Sequence, residues 1–249
     1  MTRPVRHPAL LLGLTALVLL VSLHPLSWGR VRGQEADDAP VPALLDGVLL
    51  DANEAAEVNA RLPVAVILDN LPSGARPQIG LDRADLVYEL LVEGGITRFM
   101  AVYLRQDAAW VEPVRSARTP FLYLARELGA VVAHVGSASI NSPADADSQF
   151  GQWGVLHLDQ QYNPGPFWRD PTRRAPHNAV TDTIEVRAHA AGLGWFGPSA
   201  AASWQFKDDL LIENTLGGAA DHIAYNFALT LPPQADFAVD WYYLSLIHI

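Results

Sequence analysis

Two short apolar runs constrain the fold of this chain more than any other feature. Residues 63–69 read PVAVILD and residues 130–135 read AVVAHV, the second running straight into Gly136. Apolar runs of this length, bounded by turn residues, read as strands covered on both faces. Between them lies the clearest helix, within 114–129: Phe121, Leu124, Ala125 and Leu128 fall at i, i+3, i+4 and i+7, and Gly129 is a natural stop. Its start is open, with Ser116 as N-cap or with Pro120 as first helical residue behind Thr119. This order predicts an α/β domain: a mixed sheet with flanking helices, followed by the start of a small β-rich second domain.

The remaining elements fit around that frame. Residues 85–93 and 96–104 read as two strands around Gly94-Gly95, a two-residue hairpin signal because both glycines accept positive φ. That register sets Leu91 opposite Arg98, with Glu89 and Glu93 on the same face and diagonal to Arg98. A short helix is expected over 52–59, a second over 143–150 behind Ser142, and a strand over 155–159. Residues 163–177 are rich in Pro and Arg and read as a long loop. Asp182 to Glu185 resembles a capping box, opening a helix that ends at Gly192. Farther on, Ile223, Tyr225, Phe227 and Leu229 alternate, as do Phe237, Val239, Trp241 and Tyr243, predicting an antiparallel pair.

The ends carry different information. Arg3, Arg6 and His7 precede an apolar stretch from Ala9 to Leu23, broken by Thr15 and Ser22 and closed by His24-Pro25. It is short for a membrane span and suits the core of a secretory signal. No A-x-A site follows, so a cleaved signal and an uncleaved anchor both stay open, and membrane association through this segment is expected. Residues 1–29 are assigned to it, 30–60 to a linker, 61–200 to the N-terminal α/β domain and 201–243 to the start of the β-rich domain. The hexapeptide at 244–249 (LSLIHI) reads as the translated end of a sequencing adapter. The natural frame is therefore expected to continue past Tyr243, which excludes His248 from any site.

Charge and composition remove whole classes of function. The net charge is -10, so a nucleic-acid partner is disfavoured for want of counterion release. Cysteine is absent, which excludes disulfides, thiolate metal sites, a Cys nucleophile and a lipid-modified cysteine. Phosphate-loop and dinucleotide fingerprints are missing, and no cofactor is expected. Asp69, Glu89, Glu93, His134, Asp159 and His177 are candidate metal ligands by type alone; their spacing matches no metal motif, and no metal is expected.

What remains is arginine concentrated in motif-like segments, Lys207 being the sole lysine. Arg115, Ser116 and Arg118 lie at the start of the predicted helix, where free N–H groups and the helix dipole favour an anion and guanidinium groups add directed donors. Those arginines could equally bind internal carboxylates such as Asp69, Glu89 or Glu93. Residues 167–178 bring Phe167, Trp168, Arg169, Arg173, Arg174, His177 and Asn178 into one loop. His134 ends a strand, and strand C-termini in α/β sheets face the ligand crevice. His134 or His177 could serve as a base, with Glu89 or Glu93 as a second acid/base group. A Ser/His pairing of Ser116 or Ser137 with either histidine is supported only weakly, because no nucleophile elbow is present.

Taken in order, Arg76-Pro77-Gln78-Ile79-Gly80-Leu81, Ala84 to Glu89, Val92 to Phe99, Pro113 to Arg118, His134-Val135-Gly136, Trp168-Arg169-Asp170 and Ala175 to Asn178 resemble the YerB-like proteins that contain the DUF3048 domain. The resemblance runs from about Leu62 to about His177 and weakly on to Tyr243. It implies an exported or lipoprotein-type bacterial protein with an N-terminal domain and a smaller C-terminal one, and it implies no reaction. The chain departs from the family in lacking the lipobox cysteine of some relatives, and in reading Val135-Gly136-Ser137-Ala138-Ser139 after His134 where a Gly-Gly-Ser-type loop is usual.

Three functions are compatible with these residues. The preferred one is an extracytoplasmic, envelope-associated protein in which Arg98, Arg115, Ser116, Arg118, Arg174 and Asn178 hold an anionic small molecule or a cell-wall polymer. The others are an extracytoplasmic hydrolase or transferase working through His134 or His177 with Glu89 or Glu93, and a structural scaffold whose arginines are all internally neutralised.

Overall fold

The protein is described by a computed structural model over residues 39–138 and 145–200, with two further strands at 222–226 and 238–242. The signal-like segment, the cap at Ser142 and the tail at 244–249 lie outside the described residues.

The elements run β1 (Val41–Pro42), β2 (Leu49–Leu50), α1 (Ala52–Asn59), β3 (Val64–Asp69), β4 (Leu86–Leu91), β5 (Thr97–Tyr103), α2 (Thr119–Leu128), β6 (Val131–His134), α3 (Ala146–Trp153), β7 (His157–Asp159), β8 (Phe167–Arg169), β9 (Ala179–Thr181), α4 (Thr183–Gly192), β10 (His222–Asn226) and β11 (Ala238–Tyr242). The central sheet has the order β4-β5-β3-β6-β7. β3, β6 and β7 are parallel, while β5 lies antiparallel to both β3 and β4. The mixed α/β sheet expected from the apolar runs is thus present, with β3 buried along its whole length.

Side chains alternate across the sheet into two cores. Ala65, Ile67, Met100 and Val102 meet Phe121, Leu122, Ala125 and Leu128 of α2, Ala55 and Val58 of α1, and Phe150 of α3. Val64, Val66, Leu68, Ala101 and Tyr103 face the other way, onto Phe167 and Ala179 of the β8–β9 ribbon and Val186 and Ala190 of α4. The domain is therefore three layers about one sheet.

Several expectations are corrected. Residues 41–60 are no linker: α1 is capped by Asp51, and Ala43, Leu45, Leu50, Ala55 and Val58 complete the first core. The β4–β5 pairing sets Leu90, not Leu91, opposite Arg98. Both central glycines take positive φ, 71° and 72°, but the turn they make spans Val92 to Ile96, and Val92 N–H donates to Ile96 O at 2.8 Å. A slip of one residue inverts every side chain of a strand, so Glu89 lies on the face opposite Arg98. The long loop at 163–177 contains β8, which pairs with β9. Neither Ser116 nor Thr119 caps α2; Arg118 holds that position in extended conformation. The cap on α4 is as expected, with the Asp182 carboxylate accepting from Ile184 N and Glu185 N. β10 and β11 pair antiparallel, His222 opposite Tyr242.

On the side of the sheet where β3 begins, one arginine joins three elements. Arg187 of α4 donates to Leu62 O just before β3, to Tyr103 O at the end of β5 (2.8 Å), and to Asp107 Oδ1 (3.1 Å). Asp107 also accepts from Thr183 Oγ1 and Arg61.

Candidate functional site

Every parallel strand ends on a buried polar side chain: Asp69 on β3, His134 on β6 and Asp159 on β7. The extended segment before α2 crosses these ends. Arg115 N–H donates to Ile67 O at 2.8 Å, Val135 N–H to Arg115 O at 3.1 Å, and Ala117 N–H to Gly136 O at 3.0 Å. The Val-Arg-Ser-Ala-Arg string is thereby fastened between the C-terminal ends of β3 and β6, which is the crevice position of α/β sheets.

Three of the predicted arginines converge there. Arg98 sits opposite Asp69 across the β3–β5 ladder and is only 5 % exposed. One of its guanidinium nitrogens donates to Ser116 O, its Nε has no hydrogen-bond partner, and no carboxylate among the described residues lies within 4.0 Å of it. Burial first, then the neighbouring charges of Arg118 and Arg115, push its pKa down to about 10, only partly offset by the charges of Asp69 and Glu93. Arg115 Nε lies 3.0 Å from Asp69 Oδ2, an ion pair without hydrogen-bond alignment. Arg118 Nε donates to both Glu93 oxygens, at 2.6 and 2.8 Å. Burial opposes ionisation of Glu93, but the Arg118 hydrogen bonds and the charges of Arg118 and Arg98 outweigh it and hold the carboxyl below its ordinary range. Three guanidinium groups thus face two carboxylates, and the cation left over is the most buried of the three.

Asp69 is the hub of the cluster. Besides Arg115, its Oδ2 accepts from His177 Nδ1 at 2.8 Å, and its Oδ1 accepts from Leu71 N. Because a carboxylate accepts, Nδ1 carries the His177 proton, and Nε2 is left as the ring nitrogen able to accept. His177 therefore does meet a carboxylate, but one other than Glu89 or Glu93. Glu89 Oε1 accepts from Asn70 Nδ2 and Thr97 Oγ1 on the opposite face of the sheet, which removes it from any pairing with Arg98 or either histidine.

His134 is fully buried. Nδ1 donates to Gly136 O at 2.7 Å and Nε2 meets His157 Nδ1 at 3.0 Å, so both ring nitrogens are engaged. Burial, only partly offset by Asp159 and the Gly136 carbonyl, pushes its pKa down to about 4. Such a ring is neutral and closed to substrate, and the expectation of a catalytic base at His134 is corrected to that of a structural group. Asn178 is likewise engaged: Nδ2 donates to Asp170 O and Oδ1 accepts from Arg169 Nη1. Arg174 is exposed on the turn before His177, where its carbonyl accepts from His177 N, and no partner for its side chain is found among the described residues.

Asp69 and Asp159 were legible only as candidate ligands by type, although each closes an apolar run with a carboxylate. Asp159 Oδ1 accepts from Gly136 N and Gln161 N, which shapes the loop after β6. Beside it lies a cleft of about 310 Å³, reached by Ser116, Gly136, Asp159 and Gln161. Among the described residues no group of three or more His, Asp or Glu side chains is placed to hold a metal ion.

The fold and this edge define a three-layer α/β protein with a cluster of arginines at the C-terminal ends of its parallel strands. The chain belongs to the family described as "Protein of unknown function (DUF3048) N-terminal domain", whose profile matches residues 51–195. That match reaches beyond the motif-bearing stretch at both ends, and on the N-terminal side it includes α1. The chain is 35 % identical over 167 residues to a Bacillus subtilis (strain 168) protein named "Putative lipoprotein YerB", covering 66 % of this chain and 49 % of that one. It is also similar to the crystal structure of the YerB protein from Bacillus subtilis, with a TM-score of 0.55 and 33 % identity over 64 % of this chain and 52 % of that one. The chain spans about half the length of the relatives it matches. Among the described residues no helix is long and apolar enough to cross a membrane.

Proposed function

We propose that this is an exported, envelope-associated protein whose N-terminal domain binds an anionic group at the crevice formed by Arg98, Arg115 and Arg118. The observation that carries the binding role is Arg98: a buried residue with a free Nε and no carboxylate within 4.0 Å among the described residues, where the more distant charges of Asp69 and Glu93 do not make up for burial and for the like charges of Arg118 and Arg115. Burying an unpaired cation costs several kcal/mol unless something neutralises it, and a phosphate or carboxylate arriving beside Ser116 would do so. The envelope location is supported by the signal-like residues 1–29 and by the lipoprotein name of the Bacillus relative. Arg174 and Asn178 are left out of the binding set, and the scaffold reading is disfavoured by Arg98.

The test is thermal denaturation of the full chain in detergent with inorganic phosphate, citrate or chloride at matched ionic strength. Phosphate or citrate is expected to raise the Tm of the wild type and to leave Arg98→Gln unmoved. An identical response to all three salts would defeat the proposal. A second reading, hydrolysis or group transfer with His177 as base, is favoured by the 2.8 Å contact with Asp69 that orients its ring. Under that reading His177→Gln abolishes turnover of an ester substrate while the phosphate response persists.

A further inference from the structure

A larger opening lies beside the arginine crevice. A cleft of about 720 Å³ is bounded by α3, β7 and the segment after α4, and is reached by His157, Tyr162, Asn163 and Trp195. It shares Asp147 and Tyr162 with the smaller cleft next to Ser116, so the two adjoin as one groove that runs from the start of β7 to the segments that follow β6 and β7. The groove differs in chemistry from the crevice, since no arginine or lysine reaches either cleft.

Its polar groups have a common property. The side chains of Asp147, Gln161, Tyr162 and Asn163 make no hydrogen bond to any described residue, whereas those of Asp69, Glu89, Glu93 and Asp107 all do. His157 adds an acceptor whose state follows from its neighbours. A carbonyl only accepts, so the Gly136 contact places the proton of neutral His134 on Nδ1. His134 Nε2 must then accept, and His157 Nδ1 must donate. The Nε2 of neutral His157 is consequently a lone pair without a partner among the described residues. The relay holds it in that form, and stacking on Phe150 at 3.9 Å fixes the ring plane. Tyr162, 74 % exposed, and half-buried Trp195 add aromatic rings to the same walls.

We infer that this groove binds a neutral oligosaccharide. A sugar presents hydroxyl and N-acetyl groups, each able to donate and accept, opposite the amides of Gln161 and Asn163, the Asp147 carboxylate and the His157 acceptor. Its ring faces are apolar and flat enough to lie on Tyr162 and Trp195. A polyanion is disfavoured by Asp147, and a polycation finds only that one unpaired carboxylate. The smaller cleft touches Ser116 of the anion reading, but Asp147, His157, Gln161, Tyr162, Asn163 and Trp195, which are assigned to the sugar, are not among the residues of that reading.

The test uses the full chain in detergent and the N-acetylglucosamine tetramer as probe, followed by tryptophan fluorescence and by the histidine ring nitrogens in NMR spectra. Saturable binding is expected, with the His157 Nε2 resonance moving. Tyr162→Ala, an exposed position, is expected to weaken binding about tenfold, and Asn163→Ala to weaken it as well. Both variants should keep the wild-type Tm and the wild-type response to phosphate. Absence of saturable binding by both this tetramer and cellotetraose at millimolar concentration overturns the inference. So does binding that survives Tyr162→Ala and Asn163→Ala, or that spermidine displaces. Loss of the phosphate response in Arg98→Gln with tetramer binding intact would separate the two sites.

Discussion

Replacing His134 by Gln is expected to flatten the acid side of the stability profile. In the folded protein this imidazole is buried and takes a proton only at about pH 4, against an ordinary value of 6.5. Between those limits the unfolded chain binds a proton that the folded one does not. Its contribution to stability is therefore complete above pH 6.5 and is lost as the pH falls toward 4. At about 1.4 kcal/mol for each pH step, the interval amounts to on the order of 3 kcal/mol. Glutamine retains the contacts without the titration, since its amide N–H reaches toward Gly136 O and its carbonyl can accept from His157. Urea unfolding followed by tryptophan fluorescence, at about pH 7 and about pH 4.5, gives both free energies for each protein. The wild type should lose about 2–3 kcal/mol more than His134→Gln across that range. Groups remote from the substitution, such as Glu93, are common to both proteins and cancel in the difference, whereas His157, bonded to His134 Nε2, is removed from the comparison by repeating it in a His157→Gln background. Equal losses would refute the assignment of a buried, neutral imidazole.

Further outcomes follow from local geometry. Gly80 has φ of 87°, and a Cβ there would come within 2.5 Å of Trp110 O, while Gly94 has φ of 71° with nothing within 4 Å; Gly80→Ala should therefore cost about 3 kcal/mol and Gly94→Ala about 1 kcal/mol in urea unfolding. Phe121→Ala, at a fully buried α2 position, should cost about 3–5 kcal/mol, and Tyr123→Ala, 61 % exposed on the same helix, less than about 1 kcal/mol. Glu93 is 62 % exposed, so Glu93→Gln should change stability by less than about 1 kcal/mol, with any effect fading in high salt.

The parts of the fold legible from sequence are those set by local pattern. β3 and β6 follow from uninterrupted apolar runs, the body of α2 from its i, i+3, i+4 spacing, and the start of α4 from Asp182. The failures are tertiary in origin. The β4–β5 register depends on how many residues the Gly94-Gly95 turn consumes, and that decided on which face Glu89 lies. Arg118 caps α2 because the preceding segment is held straight by Ile67 O, Val135 N and Gly136 O, contacts supplied by strands remote in sequence. The arginines were recognisable as a group, but their partners were not. Asp69 lies opposite Arg98 only through the β3–β5 ladder, and reaches His177 across more than a hundred residues of chain. The groove residues Tyr162, His157 and Gln161 carry no motif, and their relation to His134 exists only once β6 and β7 lie side by side.

The guanidinium of Arg187, which ties Leu62, Tyr103 and Asp107 to α4, has a cooperative consequence. Detaching α4 would strand two main-chain carbonyls at the base of the sheet and leave Asp107 with Arg61 alone in the same event, so the helix has no inexpensive way to peel off alone. Amide protons of α4 should accordingly exchange with solvent through the same opening as those of β3 and β5, marking helix and sheet as a single unfolding unit. Cutting that tie with Arg187→Met should split the exchange into two classes, the helix becoming the faster.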